Sequence, residues 1–309
     1  MIRIIKPGLF TTVQDEGRWG FQAHGVSVAG PMDRISHRLA NLLVGNPIEC
    51  ATLEVTLTGP EIEFTQRAAF VVTGAEFDLT LNGQGVPMHA AVDVPGRSTL
   101  QFGARHRGAR AYLGVAGGFV VSPVFGSRAT HVISRLGGLS GRALVGGDTL
   151  SIGRSALRSA HRQGPRAFPM PHGGARVRVL PGPDEAAFES DAMSVLTHGR
   201  YQVTSASNRM GYRLAGSTIR VAGNADQISE ATPAGSLQIP PSGEPILLMA
   251  DCQTTGGYPR LATVISADLP IAGQLAPGDW IEFEACDRTS AIAALVARER
   301  ALLGEASLQ

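Results

Sequence analysis

The stretch PILLMA-DCQTTGGYPR-LATVIS, residues 245–266, sets two apolar runs on either side of a polar decapeptide. Pro245–Ala250 is of strand length, and Leu261–Ser266 is rich in β-branched residues. Short apolar runs bounded by turn residues read as buried strands. The decapeptide is therefore expected as a polar loop hung between two core strands, in its simplest form the tip of a hairpin. Gly256-Gly257 is expected to supply positive φ and a close backbone approach. Around the pair stand Asp251, Gln253, Thr254, Thr255, Tyr258 and Arg260. That is more chemical variety than a turn requires, so the loop is read as equally a binding site and a piece of scaffold.

The same grammar of short strands and turns fills the rest of the chain. Leu53–Leu57, Glu61–Phe64, Phe70–Thr73, Phe77–Leu81, Leu100–Phe102 and Ala111–Val115 read as strands, punctuated by Gly59-Pro60, Asn82-Gly83 and Pro95-Gly96. Thirty-eight glycines and 19 prolines among 309 residues exceed the usual share of roughly 12%. No low-complexity period accompanies them, which fits many turns rather than disorder. A helix is expected after Gly30-Pro31, with Met32, Ile35, Leu39, Leu42 and Leu43 as its apolar stripe and Asp33 in its first turn. A second is expected over Asp184–Leu196, capped by Asp184. A third starts at Asp287, with Ile292, Leu295, Val296, Leu302 and Leu303 on one face. Residues 155–175 have no periodicity and read as a linker. The segments after it echo the first half: Arg178–Gly182 follows Arg3–Gly8, and Trp280–Phe283 follows the strand Thr149–Ile152. The expected division is an N-terminal β-barrel subdomain over 1–160, a C-terminal one over 175–285 and a helix over 286–309.

Composition and missing motifs exclude several functions. The net charge is +1, which asks for neither nucleic acid nor an anionic membrane. Lys6 is the only lysine, so a Walker-type nucleotide loop is excluded and no lysine sits in the context that carries biotin. No HExxH, HxH or carboxylate cluster suggests a metal. Cys50, Cys252 and Cys286 are scattered and odd in number, against a disulfide framework. Cys252 is read as a small filler residue rather than a nucleophile. The first residues lack a signal-peptide pattern and no apolar run reaches membrane-spanning length, so a cytoplasmic setting is expected. The cluster Arg105, His106, Arg107 and Arg110 is read as a solvated loop face, with an anion site as the less common alternative.

Several polar residues in the loops are open to two readings. Arg209, in SNRMGYR, suits a bidentate clamp for a carboxylate or equally a loop tie. Gln238, in QIPPSG, is an amide reader if it faces a cleft and part of a stiff turn if it does not. Asp33 suits the helix dipole or a catalytic role. Asp251 is a polar orienter or the cap of the turn it begins.

The motifs QDEGRWG, GVSVAGPMD, YLGVAGGF with VFGSR, SNRMGYRL, LQIPPSGEPILLMADCQTTGGYPRLATVISADL and QLAPGDWIEF together resemble the allophanate hydrolase subunit 2 family. The resemblance runs in order from about Gly8 to Phe283. That family includes the C subunit of bacterial ATP-dependent 5-oxoprolinase and the second half of the urea carboxylase carboxyltransferase domain. The resemblance implies a mainly β fold of two cyclophilin-like β-barrel subdomains. It implies ATP-driven cleavage of the cyclic amide 5-oxoproline to glutamate, shared with the 5-oxoprolinase B subunit and an A subunit of the lactam-utilisation type. Under it, Arg209, Gln238, Thr254, Thr255 and Tyr258 are expected to bind substrate, with Asp33 and Asp251 as candidate catalytic residues. The chain alone is expected to be inactive. One alternative is a biotin-dependent carboxyltransferase acting on urea or a related amide, the biotin being carried on another chain. The other is a non-enzymatic regulatory subunit that binds a partner protein.

Overall fold

The structure, a computed structural model, describes residues 1–154, 168–222 and 228–304. It is mostly β, with two barrel-like sheets. The chain divides into two compact units: Met1–Arg18 with Ala29–Met170, and Trp19–Val28 with Pro171 onward. The second unit thus draws in a short excursion from the first half. Residues 155–167 of the expected linker lie outside the described residues, and its end, Gly174-Ala175, already forms a strand.

The first unit carries β1 (Ile2–Lys6), β2 (Phe10–Gln14), α1 (Arg34–Leu43), β3 (Thr52–Thr56), β4 (Glu61–Phe64), β5 (Ala68–Leu81), β6 (Gln84–Gly85), β7 (Val92–Val94), β8 (Ser98–Val115), β9 (Phe119–Val120) and β10 (Thr149–Ile152). Its sheet runs β2-β3-β8-β4-β1-β10-β9, and β5 pairs with β6, β7 and β8. β8 is the spine: Ser98–Gln101 pairs with β4, Arg110–Leu113 with β3, and β5 runs beside most of it. Four expected strands are therefore two long ones, Phe70–Thr73 and Phe77–Leu81 in β5, Leu100–Phe102 and Ala111–Val115 in β8. Register shifts between Gly74 and Leu79 are what let strands of this length bend around one core. That core gathers Ile2, Ile4, Leu53, Val55, Phe64, Phe70, Leu100 and Leu113, with Phe64 and Phe70 stacked at 5.4 Å. Asn82-Gly83, expected as a turn, joins β5 to β6 with both residues at positive φ, as in a type I′ hairpin. Arg105, His106 and Arg107 lie on β8 rather than in a loop, exposed, with His106 2.9 Å from Asp78. Arg110 is buried. The solvated-face reading therefore describes three of the four.

The second unit carries β11 (Gly174–Pro181), α2 (Ala192–His198), β12 (Arg200–Val203), β13 (Gly211–Ala215), β14 (Glu230–Ala231), β15 (Ser236–Gln238), β16 (Ile246–Leu248), β17 (Thr255–Gly256), β18 (Arg260–Val264), α3 (Leu269–Ala272), β19 (Trp280–Ala285) and α4 (Arg288–Leu303). Seven of these strands close a barrel in the order β11-β18-β15-β16-β13-β12-β19. Alternation fills it: Val177, Val179, Tyr201, Val203, Tyr212, Leu214, Ile281 and Phe283 are buried while their strand neighbours are more exposed. Closure is a parallel pairing, Gly174 with Trp280 through Val179 with Ala285. The matching segments of the first unit, β1 and β10, pair antiparallel. The sequence echo between the halves is therefore not an echo in strand pairing.

Two helices depart from expectation. Over Asp184–Leu196 the chain forms a 3-10 turn, Glu185–Ala187, and then α2, so no single helix exists there. Asp184 caps nothing with its side chain because its carboxylate is taken by Arg260 at 2.9 Å. In α4, capped by Asp287 as its position suggests, only Leu302 of the expected apolar face is buried. Ile292, Leu295, Val296 and Leu303 stay exposed, because helical spacing puts residues on one face without supplying anything to cover it. No helix among the described residues is long and apolar enough to cross a membrane.

His37 of α1 is fully buried, with Nε2 3.2 Å from the Ile48 carbonyl and Nδ1 2.8 Å from Thr52 Oγ1. A carbonyl only accepts, so Nε2 carries the proton and Nδ1 accepts from the hydroxyl. Burial holds its pKa below the usual 6.5, outweighing the attraction of Glu16 and Asp15. His89 is shifted the same way by burial. In this window the unfolded chain binds more protons than the folded one, so stability is present above about 6.5 and falls as pH drops toward the folded-state value. Thermal melts from pH 7.5 to 5 are expected to show a falling midpoint, with a shallower dependence in His37→Gln. Equal slopes in the two proteins would show that His37 does not carry this dependence.

Candidate functional site

The decapeptide 251–260 is not a hairpin tip. β16 and β18 both pair with β15 and lie on either side of it, so the loop crosses over that strand. The loop leaves β16 beside the start of β15 and enters β18 beside its end, so it runs the length of that strand and arrives at Gln238, the residue in which β15 ends. Ile239 N–H donates to the Pro259 carbonyl at 3.0 Å, closing the crossing. Thr255–Gly256 forms the two-residue β17 against β14, and the Thr232 N–H donates to the Thr254 carbonyl at 3.0 Å. On another side Ser27 Oγ, from the Trp19–Val28 excursion, donates to the Cys252 carbonyl at 2.9 Å.

Arg209 and Asp251 meet, and they meet each other. Arg209 Nε and Nη2 donate to Asp251 Oδ2 and Oδ1, both at 2.9 Å, and the residues are only 7% and 4% exposed. The Asp251 N–H donates to the Arg209 carbonyl at 2.8 Å, and the Met249 N–H to the Met210 carbonyl at 2.9 Å. The carboxylate that a clamp at Arg209 would seek is thus supplied from within. Arg260 is engaged in the same manner: Nε bonds Asp184 Oδ2 at 2.9 Å and Nη2 bonds Glu230 Oε2 at 2.6 Å. Both guanidinium groups flanking the loop are committed to carboxylates, and the loop's other accessible polar groups are amides, hydroxyls and a phenol.

Gln238 is 2% exposed. Its Nε2 donates to the Tyr258 carbonyl at 3.3 Å, and its Oε1 accepts from Gln253 Nε2 at 3.2 Å. Gln238 is therefore enclosed rather than facing outward. Thr254 and Gln253 are half-buried, Thr255 is exposed and Tyr258 is 43% exposed, so these residues form the accessible part of the loop. Neither Gly256 nor Gly257 has positive φ. Gly256 instead serves close approach: a Cβ there would stand 2.5 Å from Gln238 Nε2 and 3.1 Å from Thr232 Oγ1. Cys252 is buried, and desolvation together with Asp251 pushes its thiol up to about 11, so it is a protonated filler at neutral pH.

Asp33 belongs to the first unit rather than to this loop. It is the N-cap of α1, one position outside the helix; Oδ1 accepts from Ser36 N–H at 2.9 Å and Oδ2 from Ser36 Oγ at 2.6 Å. The first unit also holds a polar interior that sequence reading passed over. Glu54, fully buried, accepts from Tyr112 Oη at 2.7 Å and from Met32 N–H at 2.8 Å. The signal was a carboxylate inside the apolar run Leu53–Leu57. Asp15 joins two motif loops, accepting from Gly17 N–H at 3.0 Å, Ser127 Oγ and Arg128 N–H. Among the described residues no group of His, Cys, Asp and Glu is arranged to hold a metal.

The buried pair predicts a specific energetic pattern. Arg209→Met leaves Asp251 buried without its partner, which costs roughly 3–5 kcal/mol. The double variant Arg209→Met/Asp251→Leu removes both charges and is expected to recover most of that loss. Urea unfolding of both variants and of Asp251→Leu alone measures this. Additive losses would show that the pair is not coupled.

The chain matches the family described as carboxyltransferase domain, subdomain A and B, over residues 24–285. It is 39% identical over 300 residues to the C subunit of 5-oxoprolinase from Escherichia coli K12, covering 97% of this chain and 96% of that protein. It is 34% identical to urea amidolyase of Saccharomyces cerevisiae over 91% of this chain, which amounts to 16% of that protein. Among solved structures, Kluyveromyces lactis urea carboxylase superposes with a TM-score of 0.91 at 30% identity, over 100% of this chain and 29% of that one. The chain therefore spans under a third of these urea enzymes. With matches of this length and identity, the chain belongs to the carboxyltransferase domain family, subdomains A and B.

Proposed function

We propose that this chain is the C subunit of an ATP-dependent 5-oxoprolinase and works with the B subunit and an A subunit of the lactam-utilisation type. The observation that carries the reading is the 39% identity to the E. coli protein over almost the whole of both chains. The loop over β15 supports it chemically. A ring amide offers one N–H and one carbonyl oxygen, and the loop's accessible groups are neutral donors and acceptors on Gln253, Thr254, Thr255 and Tyr258.

The nucleotide is not given a place at this loop. A triphosphate asks for uncommitted cations, and Arg209 and Arg260 are held by Asp251, Asp184 and Glu230. ATP would supply activation of the inert amide, and this chain's share is to hold the ring in the orientation for attack. Assays of ATP and 5-oxoproline consumption are expected to show no turnover by the isolated chain and turnover in the reconstituted mixture. Robust turnover by the chain alone would sink the shared-site reading.

A second reading, carboxyl transfer from biotin on another chain to a urea-like amide, draws on the urea carboxylase superposition. Lys6 does not suit a biotinylated residue: it sits within β1 and its Nζ bonds Glu61 at 2.7 Å. Turnover that requires a biotinylated carrier and bicarbonate would select this second reading. Thr255 is exposed, so under the first reading Thr255→Val is expected to lower kcat by about 10- to 100-fold without impairing assembly. Wild-type kinetics in that variant would remove the hydroxyl from the site.

A further inference from the structure

We propose that Gln253 reads the N–H of the substrate's ring amide through its Oε1, with Gln238 as the positioning residue that fixes which way the Gln253 amide points. This assignment rests on the lactam-cleaving reading above and deepens it.

The Tyr258 carbonyl can only accept, so the Gln238 atom 3.3 Å from it is the amide nitrogen. The Gln238 oxygen is then on the other side, and what meets it at 3.2 Å is the Gln253 nitrogen. The polarity set at Tyr258 thus passes through two side chains. The relay ends on Gln253 Oε1, which takes no hydrogen bond from the described residues. Gln238 is shut away from water, whereas Gln253 is half-buried, so the relay runs from the barrel interior toward its surface. Gly256 makes room for it. A Cβ at that position would press on Gln238 Nε2 at 2.5 Å and approach Gln253 Nε2 at 3.3 Å.

The end of this relay is an acceptor of fixed direction, with a remaining N–H on the same amide group. That pair complements an amide whose N–H and C=O lie on the same side. A five-membered lactam is locked in this cis arrangement, whereas an open-chain secondary amide is trans. The chemistry selects ring amides that carry an N–H. A lactone of the same shape, with oxygen in place of N–H, would set two acceptors against each other, and a site built for a donor rejects such an analogue.

The test compares 5-oxoproline with its lactone analogue, the lactone as competitive inhibitor, in the reconstituted complex of wild type, Gln253→Met, Gln238→Leu and the double variant. Wild type is expected to prefer the lactam strongly. Gln253→Met is expected to lose roughly 10- to 100-fold in kcat/KM for 5-oxoproline, with the lactone Ki little changed, so the preference collapses. Gln238→Leu is expected to lose part of the preference, and the double variant no more than Gln253→Met, because both act on one interaction. A merely structural role would weaken lactam and lactone together and leave their ratio intact. If wild type turns over 5-oxoproline while the variants keep that ratio, the assignment to Gln253 is overturned and the oxoprolinase reading stands. If the wild-type complex does not turn over 5-oxoproline, the reading falls and this assignment falls with it.

Discussion

The Arg209–Asp251 pair sets the terms for the second barrel. Two opposite charges taken out of water are tolerated only when each finds the other in good geometry, and a fork-to-fork arrangement at 2.9 Å meets that condition. Meeting it fixes two loops that are 42 residues apart in the chain. With 207–213 and the start of 251–260 tied, the remainder of the second loop runs from the start of β15 to its end before entering β18. The polar decapeptide is thus anchored at its first residue by one desolvated contact, and the strand order carries it across β15.

That path decides what the loop's polar groups can do. Crossing over β15 brings the loop onto Gln238, and a primary amide buried there must satisfy a donor and an acceptor at once. It does so with the Tyr258 carbonyl and the Gln253 amide. The inner groups are spent on each other, and the outer ones inherit a definite orientation. Preorganisation of this kind needs no charge, which agrees with a barrel whose flanking arginines are already neutralised.

The first unit uses polarity differently. Asp15, Asp33 and Glu54 are all buried carboxylates with hydrogen-bond partners inside the fold. Asp15 joins the loops at 14–18 and 126–128, Asp33 caps α1, and Glu54 receives Tyr112 and Met32. A motif rich in acidic and glycine residues, such as QDEGRWG, reads like a site because sites and tightly satisfied loops draw on the same residue types. Only the count of hydrogen bonds already made separates the two. By that measure the carboxylates of Asp33 and Asp251 are already engaged within the fold, and Thr255 and Tyr258 remain open to solvent.

The mainly β architecture was legible in the chain because alternation and turn chemistry are local: Glu61–Phe64 and the Asn82-Gly83 hairpin can be read from a few residues. The family was legible through long ordered motifs, and so was the start of a helix at Asp287. Which strands neighbour which was not. Strand identity says nothing about order in a sheet, so β16 and β18, consecutive around the loop, flank β15 only once the barrel has closed. Folding likewise gave Asp184 to Arg260 instead of a helix, since a carboxylate takes whichever donor is brought to it. The exposed face of α4 has the same cause in reverse: spacing aligned Ile292, Leu295 and Val296, and no part of the described fold reached them. Gln253 was legible only as one polar group of the loop, because its orientation comes from Gln238 and Tyr258, and only closure of the barrel sets the three in line.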